Sequence, residues 1–253
     1  MAALTRRLLR PVHTLGKFVM LMAQAVSSIG EVSMYRKNLI SQMTKIGIES
    51  LPIVSLAAFF SGAVMTVQTA YQMTGPFVPK SVIGSIVAPT MILELGVVGM
   101  AFVLAGRVGA RIAAELGTMR VSDQIDALEV MGLNSVAYLI LPRVLAGMIM
   151  FPVLYVAACT IGVGGGIVAA DVGGYLSAEA FVQGAQLYFN PFDPFFGLIK
   201  AFVFGFLITS ISCYKGYYTS GGAEGVGDAT TEAAVASCVF MLFADLLLAA
   251  AFL

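Results

Sequence analysis

Five long apolar stretches dominate this 253-residue chain, and they leave few folds open to it. A helix that crosses a bilayer needs about 20 consecutive, mostly apolar residues. Stretches that qualify run near 51–73, 82–105, 136–170, 194–214 and 231–253. Hydrophobic residues make up 59% of the chain and charged residues 11%, too few charges to cover a water-facing surface. The same numbers exclude intrinsic disorder, which needs low hydrophobicity and high charge. The expected fold is an all-α polytopic membrane protein: an N-terminal segment, 1–50, then a five-helix domain, 51–253.

The spans have legible starts and sides. Asp193-Pro194 offers an N-cap followed by proline at the first helical position, and Asp228 offers an N-cap before the last span. Segment 1–50 carries seven lysines and arginines. Arg107, Arg111, Arg120 and Arg143 flank the second connection, and Lys215 follows the fourth span. The opposite side has Lys80 alone. The positive-inside rule therefore puts the N-terminus in the cytoplasm and the C-terminus on the far side, as in a bacterial inner-membrane protein.

In the N-terminal segment, Leu15, Phe18, Val19, Met22, Val26 and Ile29 recur at helical spacing, with Lys17, Gln24, Ser28 and Glu31 off the stripe. This pattern suits an amphipathic helix lying in the membrane interface, and equally one packed on the bundle. Arg6, Arg7 and Arg10 resemble the start of a signal peptide. The clean apolar run Phe18 to Met22 is too short for its hydrophobic region, which needs roughly 7–15 residues.

Several chemistries find no support. Neither a GxxxxGK[ST] phosphate loop nor a GxSxG nucleophile elbow occurs, and the single histidine, His13, cannot supply HExxH. Cys159, Cys213 and Cys238 are far apart and read as small buried hydrophobes. No metal site, cofactor or hydrolytic activity is expected in the chain. Fourteen basic residues balance fourteen acidic ones, so there is no cationic excess for nucleic acid. The glycines of 162–166 sit in an apolar span, where Gly162 and Gly166, four apart, suit close helix packing.

Three ionisable residues fall inside spans: Glu94, Lys200 and Asp245. Each costs at least ~2.5–3.5 kcal/mol in the bilayer core and needs a partner or a wet cavity. At about 1.5 Å per residue, Lys200 lies roughly 9 Å and Asp245 roughly 12 Å from the same membrane face. An ion pair between the fourth and fifth spans follows. Glu94, roughly 18 Å deep, has no obvious partner and reads as cavity-facing.

The connection after the second span is the most informative stretch. Gly117 and Gly132 punctuate an expected short helix at about 118–131. Val121, Ile125 and Leu128 form one apolar stripe; Met119 and Val130 form a second. Asp123, Asp126 and Glu129 face a single basic residue, Arg120. Such a helix suits a groove on a partner protein, or could fold back on its own bundle.

The run Ala105-Gly106-Arg107-Val108-Gly109-Ala110-Arg111, followed by AELGTMRVSDQIDALEVMG at 114–132, resembles the signature of the MlaE/YrbE family, the permeases of MCE-type ABC lipid transporters. Leu93-Glu94-Leu95-Gly96, the run Tyr138 to Arg143, and GGAEGVG at 221–227 with Ala229-Thr230-Thr231 resemble further family segments. The resemblance implies a homodimeric permease that moves phospholipid or a related lipid between inner and outer membrane. It implies cytoplasmic ABC ATPase subunits, binding ATP and Mg, docked on the helix at 118–131. The residues so implicated are Glu115, Gly117, Thr118, Arg120, Asp123, Gln124, Ile125, Asp126, Leu128 and Glu129. It implies an MCE-domain protein on the periplasmic side and places Glu94, Lys200 and Asp245 at the family's intramembrane charged positions. The rival reading is a proton-coupled secondary transporter that uses Glu94 and Asp245 as a relay.

Overall fold

The computed structural model describes residues 2–28, 30, 35–73 and 79–252, with side chains from His13 onward. Ile29, Glu31 and Leu253, together with the side chains of Arg6, Arg7 and Arg10, lie outside the described residues. Among the described residues, eight helices form the whole framework. They are α1 (Ala2–Ser27), α2 (Arg36–Gln72), α3 (Val82–Val121), α4 (Gln124–Val130), α5 (Val136–Val172), α6 (Ala178–Leu187), α7 (Phe192–Tyr217) and α8 (Gly222–Phe252). Five of these, α2, α3, α5, α7 and α8, are long and apolar enough to cross a membrane.

Several helices extend past the expected spans. The second was expected to end near 105, yet α3 runs on to Val121. Its polar end is tolerated because Arg111 and Glu115 pair with each other, four residues apart on one face. The last span begins at Gly222 rather than near 231, so Asp228 lies inside α8 and caps nothing. Small residues let these first turns approach α3 closely: a Cβ on Gly117 would touch Thr219 and Val226. Asp193 likewise sits within the first turn of α7 instead of capping it. Asn190 takes that part, its Oδ1 accepting the Phe192 N–H at 3.1 Å. Helix α6 fills the connection between the third and fourth spans, and Ser177 caps it by accepting the Ala180 N–H at 3.4 Å.

Helices α2 and α5 pack through glycine. A Cβ on Gly62 would strike the Gly162 carbonyl, and one on Gly165 would strike the Phe59 carbonyl. Gly166 lies against Thr66. Close packing through Gly162 and Gly166 is thus what the structure shows, and it brings two backbones together as small residues do in membranes. Gly147 and Gly205 do the same between α5 and α7. The main core gathers Leu104, Ile140, Phe151, Phe204 and Ile208 from α3, α5 and α7. A smaller core of Ile83, Val87, Met91, Ala170, Leu176 and Phe181 seats α6 on the start of α3.

Helix α1 packs on the bundle through Phe18, Leu21, Met22 and Ala25. The Phe18 ring meets Tyr214 edge-on at 5.8 Å, and Lys17 lies over the Tyr218 ring. Leu15, Val19 and Val26 remain exposed. The apolar stripe is therefore shared between the bundle and its surroundings.

Candidate functional site

The intramembrane charges converge. Lys200, fully buried on α7, donates to Glu94 Oε1 at 2.9 Å and to the Leu93 carbonyl at 3.1 Å. Its Nζ also stands 2.7 Å from Asp245 Oδ1 on α8. The expected Lys200–Asp245 pair is present. Glu94, expected to lack a partner, has one: Lys200 is shared by both carboxylates, and the Phe196 ring lies 5.1 Å from its ammonium. One amine thus stands between two carboxyl groups contributed by two other helices. Glu94 is the most open member, its side chain 45% exposed against 17% for Asp245 and none for Lys200.

The backbone of α3 explains how Glu94 reaches Lys200. Pro89 lies inside the helix and has no N–H to give the preceding turn. Directly after it, Met91–Gly99 is π-helical. Such wide turns leave carbonyls that seek other donors. Cys159 Sγ approaches the Met91 carbonyl at 3.6 Å, Tyr155 donates to Ile92 at 3.0 Å, and Lys200 donates to Leu93. Three successive carbonyls are thus satisfied from α5 and α7.

A second charged cluster lies farther along α3, toward α4. Glu115 accepts from Arg111 Nε at 3.1 Å and from Arg143 Nη2 at 3.2 Å, and lies 3.5 Å from Lys45. Arg111 reaches Glu49 at 2.6 Å. Arg143 is almost wholly buried and also donates to the Leu139 carbonyl. Glu115 therefore ties α2, α3 and α5 together, and its carboxylate points into the bundle.

Beyond it, the expected single helix at 118–131 is divided. Gly117, expected to mark its start, is buried inside α3, and Thr118 and Arg120 lie in the last turn. Asp123 breaks the chain direction with φ 56°, a left-handed conformation that Asp tolerates better than most residues. Its side chain caps nothing, and α4 follows as a separate two-turn helix. Arg120 closes the elbow on Asp126 at 2.6 Å, and Gln124 donates to Ser122 at 3.0 Å. Ile125 is fully buried and Leu128 packs against the core, so α4 rests on its own bundle by one edge. Its other edge, Val130 and Met131, is 89% and 66% exposed, beside the exposed residues Asp123, Gln124, Asp126 and Glu129.

Comparison with known proteins decides what such a bundle is. Residues 39–251 match the family model described as Permease MlaE. The chain belongs to the MlaE permease family. Its similarity to a probable ABC transporter permease protein of Rickettsia bellii is 40% identity over 96% of this chain and 93% of that one. A probable ABC transporter permease protein of Synechocystis is 37% identical over 84% of this chain and 81% of its own. The intermembrane phospholipid transport system permease protein MlaE of Haemophilus influenzae is 30% identical over 98% of this chain and 95% of its own. As an MlaE-family member with five spanning helices, the chain is a multi-pass membrane protein and a permease of the ABC transporter class. Both charged clusters and the α3–α4 elbow fall within the matched residues.

Glu94, Lys200 and Asp245 stand out in the sequence, whereas Tyr155, which holds the backbone beside Glu94, and Arg143, which pairs with Glu115, do not announce those roles. Tyr155 and Arg143 carry a signal of a kind, each being a polar side chain within or bordering an apolar stretch.

Proposed function

We propose that this chain is the membrane subunit of an ABC transporter that moves phospholipid or a related lipid between inner and outer membrane. The family match over 39–251 carries the reading, and the naming of the Haemophilus relative as a phospholipid transport permease supports the cargo. The chain works as a homodimer in the inner membrane, with its N-terminus cytoplasmic, as the lysine and arginine count favours. An MCE-domain protein receives or delivers lipid on the periplasmic side. Hydrolysis of ATP, with Mg, belongs to a separate ATPase subunit.

The geometry suggests how force enters. The exposed edge of α4, with Val130, Met131 and three carboxylates, offers a mixed apolar and acidic surface to that ATPase. Helix α3 joins this elbow to Glu94 without interruption, some 28 residues or roughly 40 Å along its axis. Movement at α4 is therefore delivered to the helix that holds one side of the Glu94–Lys200–Asp245 cluster. Lipid and nucleotide then favour different arrangements of the same bundle, as a two-state transporter requires.

The test is purification of the tagged chain from its native membrane in mild detergent, followed by reconstitution with what co-elutes. Co-elution of a P-loop ATPase and an MCE-domain protein, with ATP-dependent lipid movement between vesicles, is expected. Transport driven by a pH gradient without ATP would overturn the reading in favour of a proton-coupled carrier.

A further inference from the structure

Three side-chain oxygens meet where α4, α5 and α7 converge. Ser135 Oγ donates to Glu129 Oε1 at 2.8 Å and lies 2.8 Å from the Tyr217 hydroxyl, which itself reaches the same Oε1 at 3.1 Å. Glu129 belongs to α4, Ser135 immediately precedes α5, and Tyr217 is the last residue of α7. Ser135 and Tyr217 are buried. The Arg120 guanidinium, at the end of α3, lies 5.9 Å from the Tyr217 ring while paired with Asp126 of α4. The neighbouring Asn134 donates to Ser28 of α1 at 3.0 Å.

The cluster is an unusual way to seat a helix. Ile125 already gives α4 an apolar anchor that is wholly buried. Glu129 adds a directional one: a carboxylate oxygen that takes hydrogen bonds from hydroxyls on two different spanning helices. Such bonds to a charged acceptor are stronger than neutral ones and fix an angle as well as a distance. Tyr217 also stands on the helix that carries Lys200. Seventeen residues of continuous helix, roughly 26 Å, separate the two.

We propose that Glu129, Ser135 and Tyr217 form a coupling latch, a set of positioning residues through which displacement of α4 reaches α7 and so the Lys200 end of the intramembrane cluster. The inference rests on the reading that a partner ATPase docks on α4. It adds a second route beside α3: α3 moves Glu94, and the latch moves Lys200. Both halves of the ion cluster are then addressed from one docking element.

The test uses the complete complex, copurified and reconstituted, with ATP hydrolysis and movement of a fluorescent phospholipid measured together. Tyr217→Phe keeps the ring under Arg120 and removes only the hydroxyl. Ser135→Ala removes the other hydroxyl, and Ser135→Thr restores one. The expected result is ATPase copurification and hydrolysis within about twofold of wild type for all three variants. Lipid moved per ATP should fall roughly tenfold in Tyr217→Phe and Ser135→Ala, the scale of one hydrogen bond to a charged group, with substantial recovery in Ser135→Thr. Unchanged lipid per ATP in both Tyr217→Phe and Ser135→Ala would overturn the latch while leaving docking intact. Parallel loss of copurification, hydrolysis and transport would also overturn it, because the residues would then only hold the fold. Absence of any ATPase from the wild-type preparation would instead overturn the docking reading, and the latch with it.

Discussion

Lys200 and Glu94 stand 106 residues apart in the chain and 2.9 Å apart in space, and Glu94 lies in the π-helical stretch of α3 that follows Pro89. Lys200 is fully buried and serves two carboxylates, so its loss strands both. We expect Lys200→Met to destabilise the protein by about 3–5 kcal/mol, the cost of breaking a buried pair, most of it from the more enclosed Asp245. Thermal unfolding in detergent should show a drop on the order of 10 °C. Glu94→Gln, at the more open carboxylate, should disturb lipid transport far less than Glu94→Lys, which sets a second cation against Lys200. Equal effects of the two Glu94 variants would show that the charge on Glu94 is indispensable.

Glu115 makes a similar argument at the other cluster, with a built-in comparison. Glu115→Leu leaves the buried Arg143 guanidinium without its carboxylate, and a loss of about 3 kcal/mol is expected. Glu49→Gln breaks a shorter contact, the 2.6 Å pair with Arg111, yet both partners are roughly 40% exposed. That change should cost no more than about 1 kcal/mol and should be weakened further by salt. Denaturation of the two variants at low and high ionic strength separates these outcomes.

The glycine seam between α2 and α5 predicts where a single methyl group is intolerable. A Cβ on Gly62 collides with backbone, the Gly162 carbonyl, which has no rotamer to yield. Gly62→Ala should cost about 1–3 kcal/mol and lower the yield of folded protein. Gly164→Ala, two residues along the same face-to-face stretch, meets open space and should fold as wild type. Size-exclusion profiles of the two variants after identical expression test the contrast.

The elbow depends on one residue's backbone. Asp123 holds φ at 56°, where a β-branched side chain is disfavoured by about 1–2 kcal/mol. Asp123→Gly should keep α4 in place, whereas Asp123→Val should loosen it. Protease sensitivity between residues 121 and 131, compared across the two variants, reports the difference.

Asp126 closes the elbow on Arg120 and faces outward. Asp126→Arg sets two cations together on the surface offered to the ATPase. Lipid transport should be abolished while membrane insertion is unchanged. Normal transport in that variant would remove α4 from the mechanism.

Much of this was legible in the sequence because apolar length and buried charge leave few choices. All five spans were visible, and matching depths alone paired Lys200 with Asp245. Glycine spacing located the tight contact at Gly162 and Gly166. Glu94 resisted the same reasoning because depth counts residues along a uniform helix, and the π-helical stretch after Pro89 changes which way Glu94 points. The true end of α3 is hidden in the sequence for a different reason. Arg111 and Glu115 look like loop residues in one dimension and become part of a charged cluster only once α2 and α5 bring Lys45 and Arg143 beside them. The split at Asp123 carried no glycine or proline to announce it, and Gly117, which looked like punctuation, is a packing residue under Thr219.

The π-helical stretch over Met91–Gly99 winds more residues into each turn of α3 than an ordinary α-helix holds. A residue absorbed from a π turn into regular α-helix turns everything on one side of it by about 100° and shifts it by about 1.5 Å. Glu94 lies within the stretch, so a slip of one residue there would swing its carboxylate away from Lys200 to another face of the helix.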